Sequence, residues 1–313
     1  MDYAVLYNPV AGRGRAADVA GAVARRLEEL GHRADLGRSE EPGHIRVMSR
    51  SLPPRTERVL VLGGDGSLRE AASGLLERAV EERPAVGVLP FGSGNVVARE
   101  LGVPLDPYAA VEALAASEVS VPWDVGVAVA DGARLEPFLA MAGLGYDAAI
   151  AERIGRRRAR GWGRWLYRVH ADLLYVVTGV TQLLAPGQPR FRLQIDAEPP
   201  GEAAVAAVVS NTRTYAKSMV LTPEARPDDG VLDLYVRRAS NPIAGALSLV
   251  AAQLRRPAPP WVAQTQRARA LRVRATADAL PWQLDGDWIG RARELEISVR
   301  ASALQLVAPA GPG

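Results

Sequence analysis

Three glycine-rich turns, each following a short apolar run, are the features of this sequence best suited to chemistry. They span Asn8–Gly12, Gly63–Ser67 and Gly92–Asn95. Glycine lets a backbone approach a phosphate closely, and amides at a helix N-terminus point towards such a ligand. In an open α/β sheet, ligands bind at the carboxyl ends of the strands, where all three turns are expected. One such turn is usually only a tight connection, whereas three in one domain favour phosphate binding.

Asp65 lies within the second turn and is the only carboxylate in the three. A carboxylate repels a phosphate unless a divalent cation lies between them. The sequence therefore predicts that Asp65 takes part in a magnesium site.

The first turn also fits a rival pattern. Residues 12–17 match the Gly-x-Gly-x-x-Gly/Ala dinucleotide fingerprint, and Asp35 lies about where a ribose-binding acid belongs. The rival leaves the other two glycine turns unexplained, and arginines inside the loop suit polyphosphate equally well. A dinucleotide site stays an alternative at this stage.

Composition limits the classes of protein that the chain can belong to. Its 313 residues suit two domains, and it has no cysteine, which excludes disulfides, thiolate nucleophiles and Cys-ligated zinc. Lys217 is the only lysine, so no phosphate loop of the Gly-Lys-Ser/Thr type can form. Phosphate chemistry must depend on backbone amides, arginine and metal.

No targeting or membrane-spanning segment is expected. The N-terminus lacks a basic region of the signal-peptide kind, and the longest apolar stretch, Val169–Ala185, is short and interrupted by polar residues. We therefore expect a cytoplasmic protein.

The first 120 residues alternate strand and helix, which predicts an α/β N-terminal domain with a parallel sheet and helices on both faces. Predicted strands are Tyr3–Tyr7, Val59–Leu62 and Val86–Leu89. Predicted helices run over Ala16–Leu30 and Leu68–Val80, and a third is capped by Asp106-Pro107. We expect this domain to span residues 1–122, and the final segment, about 301–313, is a candidate to return to it.

Strands dominate from Trp123 to about residue 300, which predicts a mainly antiparallel β-sandwich as the C-terminal domain. The predicted helical insertions are 151–185 and 242–254, and Asp-Gly pairs favour tight hairpins. The predicted strands are Val125–Val129, Arg134–Ala142, Phe191–Asp196, Ala204–Ser210, Val231–Arg237, Leu271–Thr276 and Leu295–Val299.

Together, these motifs resemble the diacylglycerol kinase catalytic-domain family, which includes bacterial diacylglycerol and lipid kinases and sphingosine kinases. The resemblance covers the three glycine turns and continues through 142–148, 211–232 and Leu284–Asp287. It implies an ATP- and Mg²⁺-dependent kinase that phosphorylates the hydroxyl of diacylglycerol or a related lipid alcohol.

The resemblance also implies roles for single residues. Asp285 is the expected general base, and Asp65 is expected to act through the magnesium of ATP. A second, structural magnesium would use the side chain of Asp229 and the carbonyls of Arg226 and Val231. The expected nucleotide-binding residues are Asn8, Gly12, Gly63, Gly64, Gly66, Ser67, Gly92, Ser93, Gly94 and Asn95.

Three positions depart from the family's pattern. Lys217 lies where many relatives have a glycine pair or triplet, Val96 follows Asn95 where many bacterial relatives have aspartate, and Asp287 replaces the usual glutamate. The acceptor lipid and the effect of the Lys217 loop stay open.

Partners are inferred from the arginine-rich region Arg153–Arg168, which has tryptophan and tyrosine interleaved. Such a composition suits peripheral docking on an anionic membrane, although a solvated helix packed on the β domain explains it as well. Nucleic acid is not expected, and the oligomeric state is open, with a homodimer among the states allowed. The alternatives to a lipid kinase are an NAD kinase-like phosphotransferase and a non-catalytic lipid- or nucleotide-binding regulator.

Overall fold

A computed structural model describes residues 1–159, 189–216 and 219–310. The chain divides into two compact units. The first comprises Met1–Val125, Pro227–Asp229 and Ala301–Gly313; the second comprises Gly126–Arg226 and Gly230–Arg300.

The first unit is built on a parallel sheet in the order β2-β1-β3-β4. Its strands are β1 (Asp2–Tyr7), β2 (Arg33–Arg38), β3 (Arg58–Gly63) and β4 (Ala85–Pro90). The end of a long later strand, β17 (Glu294–Val307), lies parallel to β4, with Leu306 opposite Val86. The inner strands β1, β3 and β4 are buried almost throughout, as their unbroken apolar sequences predict.

Six helices accompany this sheet, and α2 packs with α6 while α3 packs with α4. The helices are α1 (Ala11–Gly14), α2 (Ala16–Glu29), α3 (His44–Arg50), α4 (Asp65–Leu75), α5 (Val96–Glu100) and α6 (Pro107–Ala115). The predicted cap of α6 is confirmed: Oδ1 of Asp106 accepts hydrogen bonds from the amides of Tyr108 and Ala109.

The sequence prediction missed four elements here, α1, β2, α3 and α5. Strand β2 lies at the sheet edge and is largely exposed, and the three helices have at most seven residues, so none carries a long apolar pattern. Helix α4 ends at Leu75 rather than near Val80, which instead begins a 3₁₀ turn.

The second unit is a β-sandwich, as predicted. One sheet has the antiparallel order β13-β12-β9-β7-β15-β16, and the other has the neighbours β8-β14-β17-β5-β6. Large apolar side chains from both sheets form its core, among them Phe138, Phe191, Leu234 and Trp282. The strands are β5 (Ser120–Ala130), β6 (Leu135–Phe138), β7 (Met141–Gly145), β8 (Phe191–Ile195), β9 (Ala206–Ser210), β12 (Leu232–Arg237), β13 (Gln264–Ala268), β14 (Ala270–Ala275), β15 (Leu280–Leu284) and β16 (Asp287–Ala292).

A separate two-stranded ribbon joins β10 (Thr214–Ala216) to β11 (Met219–Val220). The two helices of the second unit are α7 (Tyr146–Ala159) and α8 (Pro242–Gln253). The single strand predicted over Arg134–Ala142 was wrong, because residues 139–140 separate β6 from β7. No helix in the described ranges is both long and apolar enough to cross a bilayer; the apolar stretch Val169–Ala185 lies outside those ranges.

Candidate functional site

The second and third glycine turns contact each other directly through their backbones. Gly64 precedes α4 and Gly92 follows β4, and a Cβ on Gly92 would lie 2.4 Å from the Cα of Gly64. One residue earlier in each turn, the amide of Phe91 donates a hydrogen bond to the carbonyl of Gly63 at 2.8 Å, which also holds the two turns together. Only glycine allows these two chains to approach so closely. The two turns therefore form one continuous backbone surface at the carboxyl ends of β3 and β4.

The first turn contacts the side chain of Phe91, the residue just before the third turn. Gly12 has φ +56°, and a Cβ there would lie 1.8 Å from the ring of Phe91. Asn8 closes the start of this turn, because its Oδ1 accepts from the amide of Val10 at 3.1 Å. All three predicted turns are thus brought together at one edge of the sheet.

Asp65 is the first residue of α4, and its carboxylate reaches across to the third turn. Its Oδ1 accepts from the amide of Val97 at 3.3 Å, and a Cβ on Gly94 would lie 3.0 Å from its Oδ2. Gly66 and Ser67 follow in the same helical turn, and Ser67 packs against Gly63. An acid in the first turn of a helix interacts favourably with the helix dipole, and Asp65 has that position in α4.

Asn95 shapes the third turn from within. It adopts the left-handed conformation, with φ 52°, and both ends of its amide bond to Gly92, accepting at 2.9 Å and donating at 3.0 Å. Ser93 between them is exposed. The side chain of Asn95 is therefore occupied in holding the turn, although it also lines the adjoining cleft.

A cleft of about 410 Å³ opens beside the first and third turns. Its walls include Arg15, which lies between α1 and α2, Val19 of α2, Phe91, and the start of α6 at Asp106–Tyr108. The guanidinium of Arg15 lies 5.9 Å from the centre of the Phe91 ring. A flat aromatic and a cation beside a backbone cradle suit the base and phosphates of a nucleotide.

A second candidate centre lies in the hairpin between β15 and β16. Asp285 and Gly286 form its two-residue turn, both with positive φ. The carboxylate of Asp285 accepts three backbone hydrogen bonds at the start of β7, from the amides of Leu139 at 3.0 Å, Ala140 at 2.8 Å and Met141 at 3.0 Å. Asp285 therefore anchors the hairpin to β7, whatever chemistry it performs.

A buried polar chain runs beside this hairpin. Tyr215 donates to Asp147, whose other oxygen accepts from Gln283 at 2.9 Å, and Gln283 accepts from the amide of Gly286 at 2.7 Å. Burial raises the pKa of Asp147, and the hydrogen bonds from Tyr215 and Gln283 oppose this rise. Sequence reasoning assigned no role to Asp147 or Gln283. Gly143 adjoins this group: a Cβ there would lie 1.6 Å from the Asp147 carboxylate, which only the structure reveals.

Comparison with known proteins agrees with this geometry. A family model described as "Diacylglycerol kinase catalytic domain" matches residues 2–128, and one described as "YegS C-terminal NAD kinase beta sandwich-like domain" matches residues 140–308. The "Probable lipid kinase YegS-like" protein of Pseudomonas aeruginosa (strain UCBPP-PA14) is 30% identical over 275 residues, which is 85% of this chain and 81% of that protein. The chain belongs to the diacylglycerol kinase catalytic-domain family.

Two further matches extend the comparison. A diacylglycerol kinase of Mycobacterium tuberculosis (strain CDC 1551 / Oshkosh) is 28% identical to this family member, covering 75% of this chain and 73% of that protein. A crystal structure described as a diacylglycerol kinase from Bacillus anthracis has a TM-score of 0.70 at 17% identity, covering 98% of this chain and 96% of the other. At that identity the structural match shows the fold alone.

The rival dinucleotide fingerprint is not supported in this kinase-family chain. Its second and third small residues, Gly14 and Ala17, are exposed, although the fingerprint requires the last to pack against the sheet. Asp35 pairs with Arg55 at 2.8 Å on the edge strand β2. The match of residues 12–17 is therefore a coincidence of composition.

The described residues contain no group of three or more acidic, histidine or cysteine side chains arranged to hold a metal. The predicted second magnesium site is of a different kind, since it uses one carboxylate and two carbonyls, and it stays a prediction. Asp229 and Arg226 are exposed in the turn before β12, and Val231 is half-buried.

Of the seven arginines in the predicted membrane-facing region, Arg160, Arg164 and Arg168 lie outside the described residues. So does Lys217 of the divergent loop. In the described part, Glu152 is buried and pairs with Arg156 at 2.7 Å and with Arg291 at 2.9 Å. At least one arginine of this region is thus neutralised within the protein.

Proposed function

We propose that this protein transfers the terminal phosphate of ATP to the hydroxyl of diacylglycerol or a related lipid alcohol, with magnesium, as a cytoplasmic enzyme peripherally associated with the membrane. The observation that carries the proposal is the meeting of the three glycine turns at one edge of the sheet. At Gly12, Gly92 and Gly63 any side chain would collide with a neighbouring turn or helix. A surface of bare amides at the carboxyl edge of a parallel sheet suits a polyphosphate.

Asp65 is the group in these turns that fits magnesium. Its oxygens are the hard ligands that this cation prefers, and the N-terminus of α4 favours its negative charge. Magnesium, when bound with the nucleotide, would neutralise charge on the transferring phosphate. The chain itself supplies the fixed backbone amides and the position of the carboxylate, and arginine must replace the missing lysine as phosphate partner.

We assign Asp285 as the group that accepts the proton of the acceptor hydroxyl. Three amides fix the direction of its carboxylate, which suits a base whose reach must be defined to a fraction of an ångström. Asp287 lies two residues further, at the start of β16. Because it is a second carboxylate near Asp285, a test must compare substitutions at both positions.

The test is transfer of labelled γ-phosphate from Mg-ATP to mixed micelles of diacylglycerol, monoacylglycerol, sphingosine, ceramide or phosphatidylglycerol. NAD serves as a soluble comparator. Variants Asp65→Asn, Asp285→Asn and Asp287→Asn are assayed beside the wild type, each with a thermal melt. We expect kcat to fall at least about 100-fold in the first two, and Asp287→Asn to retain more activity than Asp285→Asn.

Each outcome has a distinct meaning. Label on one lipid class, lost in Asp65→Asn and Asp285→Asn while both still fold, supports the proposal and names the acceptor. Label on NAD alone would replace it with an NAD kinase-like activity. ATP binding without transfer to any acceptor would favour a non-catalytic regulator. Retained activity in Asp285→Asn would limit that residue to anchoring the hairpin.

A further inference from the structure

Helix α8 has its large and small side chains on the opposite faces from those of an ordinary surface helix. The face that it buries consists of small residues, Ala244, Gly245, Ser248 and Ala252. A helix that packs on a protein core normally buries its large apolar residues and exposes polar ones. Here the buried face is small, and the large residues must be found on the outside.

The outward face of α8 is apolar and strongly exposed. Ile243, Val250 and Leu254 are 69%, 53% and 62% exposed, and their spacing of seven and four residues places them on one stripe. The helix contains no charged residue from Pro242 to Gln253. Scattered apolar residues are normal on a surface, but an aligned stripe on an uncharged helix indicates a surface that is covered by something else.

The charge around this stripe identifies the covering partner. Arg255 and Arg256 follow the helix directly and are exposed, and Trp261 beyond them is 61% exposed. Between Asp233 and Asp278 the sequence has eight arginines and no acidic residue. Three of them, Arg267, Arg272 and Arg274, pair with acids on β12 and β17.

We propose that the α8 surface, made of Ile243, Val250, Leu254, Arg255 and Arg256, docks on a bilayer that contains anionic lipid. An apolar stripe beside exposed arginines is the composition of an interfacial helix, whose apolar side chains enter the headgroup boundary while the guanidinium groups bind phosphates. A second copy of the same surface would instead bring arginine against arginine. The need for docking rests on the proposed lipid substrate, but the docking itself is measurable without turnover.

The test is co-sedimentation of the full chain with vesicles of phosphatidylcholine, pure or mixed with phosphatidylglycerol. Replacing Ile243, Val250 and Leu254 together by Gln should weaken binding to the mixed vesicles at least tenfold. Arg255→Gln with Arg256→Gln should weaken it roughly 20- to 30-fold on mixed vesicles, at about 1 kcal/mol per arginine, and leave binding to pure phosphatidylcholine unchanged. A matched control replaces Leu36, Val47 and Val80, which are also exposed but lie in the first unit, by Gln.

Three measurements keep the outcomes separate. Thermal melts establish that each variant folds. We expect all of them to fold, because every changed side chain is exposed. The proposal would be overturned if the wild type and the triple α8 variant bound vesicles equally. It would also be overturned if the wild type were a dimer and the triple α8 variant, unlike the other variants, were a monomer. Phosphorylation of a monomeric short-chain diacylglycerol should be unchanged in the α8 variants. If the wild type binds vesicles through α8 but phosphorylates no lipid, the docking surface stands and the proposed function fails.

Discussion

Gly92→Ala should break the backbone contact on which the candidate nucleotide site depends. The new methyl group would lie 2.4 Å from the Cα of Gly64 and 2.9 Å from Oδ1 of Asn95. Ordinary contact begins at 3.4 Å, so the second and third turns must separate by about 1 Å. Gly92 is not among the described residues with positive φ, so the effect is steric and carries no conformational strain.

The magnitude follows from what the clash involves. Overpacking costs about 1–3 kcal/mol, and the upper part of that range applies because backbone, unlike a side chain, cannot rotate away. A displacement of about 1 Å would also remove one amide contact to phosphate, at about 1.5–3 kcal/mol. We expect Mg-ATP to bind roughly 10- to 100-fold more weakly, with a loss of about 2–3 kcal/mol in the free energy of unfolding.

Isothermal titration calorimetry with Mg-ATP and urea unfolding measure the two effects. The matched control is Gly21→Ala in α2, where the nearest atom to a new Cβ is the flexible end of Arg25 at 3.6 Å. That change should stabilise the protein by about 0.5–1 kcal/mol, because alanine favours the helix, and leave ATP binding unchanged. Wild-type ATP affinity in Gly92→Ala would show that the turn contact does not form the nucleotide site, and the reasoning from the glycine cradle would be wrong.

Three further changes test the network and a cap. Burial raises the pKa of Asp147 in the folded protein above its ordinary value of 3.8, so the folded state binds a proton more tightly than the unfolded state, and the free energy of unfolding should fall as pH rises above that value. Asp147→Asn should reduce the difference in the free energy of unfolding between about pH 5 and pH 8, measured by urea unfolding. An unchanged difference would contradict this reasoning. Gly143→Ala would place a Cβ 1.6 Å from the Asp147 carboxylate and should cost about 1–3 kcal/mol or more in a melt, whereas tolerance would show that the network is not tightly packed. Asp106→Ala removes the acceptor of two amides and should cost about 0.5–2 kcal/mol, while Asp106→Asn should restore most of it.

Much of the architecture could be predicted because its patterns are local. Strands β1, β3 and β4 are short, apolar on both faces and followed by glycine, and each was predicted within a residue or two. The edge strand β2 was missed because an exposed strand carries no such pattern, and β15 was missed although it is fully buried. A five-residue run that contains both a proline and a glutamine shows no strand periodicity that would separate it from other short segments.

The sequence by itself determined which residues could do chemistry: three glycine turns, Asp65 within one of them, and an Asp-Gly turn at 285–286. These depend on residue type and on neighbours a few positions away, which a sequence displays directly. Only the tertiary structure decided what those residues contact. The meeting of Gly64 with Gly92, the three amides that hold Asp285 from about 145 residues away, and the Tyr215–Asp147–Gln283 chain all join distant segments. The same reason explains α8, because a helix of small and large apolar residues does not reveal which face will pack until the partner sheet is in place.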